Sequence, residues 1–181
     1  MAIKTFATGE VLTASDTNTF LANSGLVYVT STTVGSGVSS VTVSNVFSST
    51  YDNYMIRIAG MTGSAAADTS LQLSSITGSV YAYSGFYQFV GAAAMTTYGG
   101  TTTSMPIGTM GTTLNTQIIV EISGPNLAVA KYVDVRTASS NIRVSQGGQI
   151  NSTTQATGFT VTPASGTLTG GIITVFGFRK A

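Results

Sequence analysis

Few residues in this sequence can act as acid, base or nucleophile. The carboxylates are Glu10, Asp16, Asp52, Asp68, Glu121 and Asp134, and there is no His and no Cys. Without His, a Ser-His-Asp arrangement lacks its base, and the commonest metal ligand is missing too. Without Cys there is no disulfide framework and no thiolate metal site. The abundant Ser is therefore composition rather than nucleophile. Two carboxylates about 5–9 Å apart can cleave a glycosidic bond. Asp68, beside a Gly/Ala/Ser turn, and Glu121, in mid-strand, are the pair to weigh for that chemistry. Each acid also has a plainer reading. Asp52 and Asp68 suit turns, Asp16 suits a helix start, and Glu121 and Asp134 suit solvent-facing strand positions. We read the chain as non-enzymatic, with no cofactor and no metal site built from side chains. It has no EF-hand loop, no phosphate-binding Gly-rich loop and no basic run. A cation held by backbone carbonyls alone stays open.

Binding chemistry is better represented. Tyr81, Tyr83, Phe86, Tyr87 and Phe89 form an aromatic cluster. Strand alternation puts Tyr81, Tyr83 and Tyr87 on one face. Such a face is either a platform for stacking sugar rings or a surface for core and inter-subunit packing, and the preference of Tyr and Phe for strands favours packing. The basic residues Arg57, Lys131, Arg136, Arg143, Arg179 and Lys180 are dispersed, and net charge is +1. No field attracts nucleic acid or anionic lipid. Most of these cations suit solvated strand faces. Arg179 and Lys180 are candidates to pair with a neighbouring protein's carboxylates. Asn151-Ser152-Thr153 fits a polar turn.

The elements that must carry these residues are strands. At 181 residues the chain fits one domain with a short extension. Charged residues make up only 7%, against a usual share of about a quarter. Such a surface must be mostly hydroxyls and small side chains, or be covered by copies of itself or by a larger particle. No apolar stretch approaches the roughly 18 residues of a spanning helix, so no membrane insertion is expected. From Leu26 the pattern has period two. Expected strands include Leu26–Val29, Val41–Val43, Asn53–Ala59, Ser70–Leu73, Val80–Val90 as one strand or two, Asn115–Ser123, Tyr132–Arg136, Thr157–Thr162 and Gly171–Phe178. Short strands with steady turn signals predict an all-β antiparallel sandwich, most simply a jelly roll, over 26–181. Residues 91–114 have no clear period. They read either as a functional or assembly loop or as a poorly patterned edge strand with a hairpin.

Residues 1–25 break the pattern. Thr13 and Asp16 have the spacing of a helix start, Ser15 is a second cap candidate, and Gly25 is a natural stop. A helix of two to three turns is predicted near 14–24. Its large apolar side chains are Phe20 and Leu21, too few to hold it alone. Phe6, Val11, Leu12, Phe20 and Leu21 are thus candidate attachment residues, which would dock the segment on a neighbour. The competing reading is that the segment caps its own sandwich.

The run Phe6-Ala7-Thr8-Gly9-Glu10-Val11-Leu12-Thr13-Ala14-Ser15-Asp16-Thr17-Asn18 resembles a segment near the N-termini of tailed-phage fibre and minor tail proteins. Tyr51-Asp52-Asn53-Tyr54, the Ile118–Gly124 stretch ending in Ile-Ser-Gly, and Gly170–Phe178 look like small sandwich modules of phage virion proteins, especially from marine phages. The resemblance implies a virion protein on the particle exterior, assembled in the host cytoplasm. It also implies a homo-oligomer, with three as the number, and other virion proteins of capsid or tail as partners. Capsid decoration of the head-fibre type is the leading expectation. The alternative is a short tail fibre or receptor-binding protein that touches host surface glycan, and an aromatic or carboxylate-lined pocket would favour it.

Overall fold

The structure, a computed structural model, describes residues 7–16, 25–113, 115–139 and 142–180. It is an antiparallel sandwich with β1 Leu26–Thr33, β2 Val41–Val43, β3 Tyr51–Gly63, β4 Ala67–Leu73, β5 Tyr81–Phe89, β6 Thr96–Thr102, β7 Met105–Met110, β8 Thr116–Ser123, β9 Lys131–Ala138, β10 Ile142–Ile150, β11 Phe159–Pro163, β12 Leu168–Thr169 and β13 Ile172–Arg179. One sheet runs β1-β13-β3-β8-β9-β10-β5-β6, with β12 beside β3; the other runs β2-β11-β4-β7.

Four of the pairings nest. β1 pairs with β13, β2 with β11, β3 with β8, and β4 with β7. This is a long two-chain ribbon folded over itself, and its halves stack as β1-β13-β3-β8 on β2-β11-β4-β7. That winding is a jelly roll. Two hairpins are inserted in it: β5–β6 between β4 and β7, and β9–β10 between β8 and β11. The β9–β10 hairpin adds to the free edge of β8 and β5–β6 adds to β10, so the large sheet runs past the small one.

The core lies between the sheets, and alternation decides what enters it. In β3, Tyr54, Ile56 and Ile58 are buried, while Met55 is half-buried and Arg57 exposed. Ile118, Val120 and Ile122 of β8 and Ile173 and Val175 of β13 face the same side. Leu71, Leu73, Phe159 and Val161 meet them from the small sheet. Phe47 packs on Tyr54 and Phe159, with ring centroids 4.8 and 5.8 Å away. β3 changes phase at Gly60, where the register to β8 shifts between Ala59 and Met61. Gly60 has φ +77°, and the residues buried after it are Met61 and Gly63. A bulge there re-aims the strand without losing the sheet. Gly171, at φ +84°, backs onto it, and a Cβ there would lie 2.6 Å from the Met61 nitrogen.

Of the helix predicted near 14–24, the described residues hold α1, Ala14–Asp16. Thr13 Oγ1 accepts from the Asp16 amide at 3.1 Å, and the Asp16 carboxylate accepts from the Thr13 amide at 3.1 Å, so the cap is formed as read. Residues 17–24, with Phe20 and Leu21, and residue Phe6 lie outside the described residues. Of the two readings of 91–114, the edge strand with a hairpin holds rather than the loop. The stretch contains β6, an edge strand paired with β5, and β7, which crosses to the small sheet.

Candidate binding groove

The overhang built by the two hairpins decides where the aromatic residues go. The inner face of β9, β10, β5 and β6 extends beyond the small sheet, whose last strand is β7. β7 must satisfy carbonyls that face the large sheet. Thr137 of β9 donates its hydroxyl to Ile107 O, and Gln146 of β10 donates its amide to Pro106 O. The Tyr98 hydroxyl of β6 donates to Gln146 Oε1. A polar chain therefore runs from Tyr98 through Gln146 to Pro106, tying the overhang to the edge strand. Gly108, at φ +114°, lies so near Thr137 that a Cβ would come within 2.6 Å of its Cγ2. Glycine lets β7 sit this low.

Beside this tether lies a groove of about 800 Å³. One wall is aromatic. Tyr83 and Tyr98 have ring centroids 5.9 Å apart, Tyr87 and Tyr98 5.9 Å, and Tyr87 and Phe89 5.7 Å. Glycines make room for the rings: Gly85 stands opposite Tyr98, and Gly100 opposite Tyr83. The facing wall comes from β4 and β7 and includes Asp68, Thr69, Pro106, Thr109 and Met110. Asp68 Oδ1 accepts the Thr109 hydroxyl at 2.7 Å. Burial, with Tyr83 and Asp68 adding repulsion, pushes the Tyr98 hydroxyl up to about 12. It thus stays protonated as the donor to Gln146 across ordinary pH.

The expected Tyr81–Tyr83–Tyr87 face is divided. Tyr83 and Tyr87 line the groove, half-buried. Tyr81 does not. It is fully buried in the core, donating to Ile76 O and accepting from the Leu73 amide, both at 3.0 Å. Its register opposite Ile150 places it under the end of β4 rather than beyond it. Burial pushes its hydroxyl up to about 12. Phe86 points to the other side of the sheet, toward a hollow with Ile119, Arg136 and Arg143. Sequence pattern does not single out Tyr98, because its strand carries no period. The one signal for it is a lone aromatic between Thr and Gly pairs.

Asp68 and Glu121 are not brought together. Asp68 is on β4 of the small sheet; Glu121 is on the outer face of the large one, bonded to Arg136 at 2.7 Å. Placed on different sheets, these two carboxylates do not flank one bond. Of the attachment residues, Val11 and Leu12 are 78% and 50% exposed.

A second built feature runs against its residue type. Lys131 is fully buried, and its ammonium donates to Leu127 O at 3.1 Å, Val129 O at 2.7 Å and Ser152 O at 2.8 Å. It ties the β8–β9 connection to the β10–β11 connection. Desolvation lowers its pKa from the ordinary lysine value. Its residue type suggests a solvated charge, but alternation puts Lys131 on the face of Val133 and Val135, and the structure makes it an internal brace.

Fold and groove together define a jelly-roll sandwich with an aromatic cleft on a sheet overhang. No protein-family model matches the chain, and no curated protein matches it.

Proposed function

We propose that the chain is a non-enzymatic bacteriophage virion protein on the particle exterior, serving as a glycan-binding module of short-tail-fibre or receptor-binding type. The observation that carries the binding part is the groove: a continuous aromatic wall facing a carboxylate and hydroxyls. Sugar rings present apolar C–H faces to such walls and hydroxyls to such polar edges. The separation of Asp68 and Glu121 supports recognition without cleavage. The virion part rests on the resemblance of residues 6–18 and on the nearly chargeless surface.

Capsid decoration is the second reading, and exposed apolar groups favour it. Val11 and Leu12 are open for docking, and Tyr28, Tyr132 and Ile172 are exposed on the large sheet. The same groups suit a homo-oligomer, and the resemblance supplies three as the number.

Particles made from the encoding phage genome test the proposal. Antibody to the chain should label intact particles, at the tail for the first reading and over the head for the second. Added pure protein should slow adsorption to host cells, and the Tyr87→Ala variant should not. Absence of the chain from purified particles overturns the virion reading. Presence with no effect on adsorption overturns receptor binding.

A further inference from the structure

The groove's charge narrows what it can hold. Among the described residues that line it, Asp68 is the only charged side chain. Its Oδ1 is taken by Thr109, whereas its Oδ2 has no hydrogen bond from the described residues. Thr69, in the same wall, is buried, and its Oγ1 is without a hydrogen-bond partner among the described residues. A buried hydroxyl left this way is costly unless something else bonds it. The aromatic rings touch one another in sequence from Tyr83 through Tyr98 and Tyr87 to Phe89. With centroids under 6 Å apart, they form a continuous wall.

We infer that the groove takes neutral sugar units and rejects uronic and sialic acids, with Asp68 as the residue that discriminates. The inference rests on the glycan reading above. Neighbouring hydroxyls of a neutral sugar donate to the free Oδ2, and hydrogen bonds to a charged acceptor are the strong kind. An anionic sugar meets a like charge at exposed Asp68, with no cation among the described lining residues to offset it. The ring faces hold either sugar equally, so the charge sets the choice.

An array bearing neutral, uronate and sialylated glycans tests this with the full-length protein. Neutral glycans should bind and acidic ones should not. Asp68→Asn keeps the size of the side chain and an acceptor for Thr109. It should weaken neutral binding about tenfold, the loss of one charge-assisted contact, and should admit acidic glycans. Unchanged far-ultraviolet dichroism and melting would show that the variant is folded. Preference of the native protein for acidic glycans overturns the inference and leaves the glycan reading standing. Unaltered selectivity in Asp68→Asn overturns the role of Asp68. Binding to no class on the array overturns both.

Discussion

The two halves of the large sheet share one register but not one environment. Strands β1, β13, β3 and β8 are covered by the small sheet. Their inner positions are aliphatic and closed, as with Ile56, Ile58, Val120 and Val175. Strands β10, β5 and β6 run beyond that cover. Their inner positions are Val144, Gln146 and Gly148, then Tyr83, Gly85 and Tyr87, then Tyr98 and Gly100. A second layer buries whatever faces it, so the covered half selects for volume and apolarity. The overhang has no second layer. Its residues are chosen for ring faces, gaps beside them and hydrogen bonds that fix the rings. Where a sheet loses its cover and keeps its aromatics, binding is the simplest use of them.

Matched truncations are the sharpest way to break this contrast. Phe159→Ala in the covered half should cost about 3–5 kcal/mol, since it empties a closed site against Phe47. Tyr87→Ala in the overhang should cost about 1 kcal/mol or less, because its ring is already partly open to solvent, yet it should abolish glycan binding. Chemical denaturation and the array measure the two effects. Equal destabilisation by both would mean that the overhang is core by another name.

Lys131 tests the boundary between the halves. Lys131→Met keeps the length and removes the charge, but three partly buried carbonyls lose their donor. We expect a loss of about 1–3 kcal/mol. A pH signature accompanies it. Burial lowers the folded pKa, so below 10.5 there is a window where the folded chain has released its proton and the unfolded chain still holds it. Native stability should rise with pH through that window and level off above it. The Met variant should lack the rise.

Two tyrosines act with the opposite sign, Tyr81 where β5 starts beneath the small sheet and Tyr98 in the overhang. Tyr81 and Tyr98 are both raised from 10.0 to about 12. Their contribution is complete below pH 10 and is lost as pH climbs toward 12, because the unfolded chain ionises first. Tyr98→Phe should flatten part of this alkaline loss and free Gln146. Tyr81→Phe should flatten another part but also leave the Leu73 amide and Ile76 carbonyl unpaired. Melts of the two variants should therefore differ at neutral pH, with Tyr81→Phe the less stable. If Tyr98→Phe is the less stable, the overhang tether holds the fold more than the core tyrosine does.

The same contrast explains which parts of the fold and site are legible in the sequence. Covered strands announce themselves, because a closed inner face demands strict alternation; the Tyr54/Ile56/Ile58 and Ile118/Val120/Ile122 triplets are plain in the residues alone. β10 escapes that pattern. Its inner face starts with Ile142 and Val144 but then needs Gln146 for the tether and Gly148 for close packing, and a Cβ on Gly148 would lie 2.4 Å from Ala82 O. Tethering has overwritten the alternation there. β6 is hidden for the same reason, and with it Tyr98. The aromatic cluster of β5 is visible, but not the cut between Tyr81 and Tyr83. That cut depends on where the small sheet ends, which no local pattern encodes. Lys131 is misleading in sequence because three carbonyls from distant loops make its site.

The smallest expected effect on stability comes from outside both halves. Residues 7–15 are exposed, and the bonds described there are local, such as the Ala7 amide to the Glu10 carboxylate at 3.0 Å. Val11 and Leu12 present apolar surface to solvent. Burying such a side chain on a neighbour is worth about 1.5–3 kcal/mol, and an oligomer multiplies the gain through avidity. Covering those groups on the chain's own sandwich would already have buried them. Deletion of residues 1–24 removes this segment and stops before β1, whose pairing with β13 starts at Leu26. The truncated chain should keep its β spectrum, with stability within about 0.5 kcal/mol of the full chain. It should keep the groove and bind the same glycans, but it should no longer enter particles. A fall of several kcal/mol would show that the segment caps its own core. Incorporation at normal occupancy would move the anchor to the exposed face of the large sheet, where Tyr28 and Tyr132 stand uncovered.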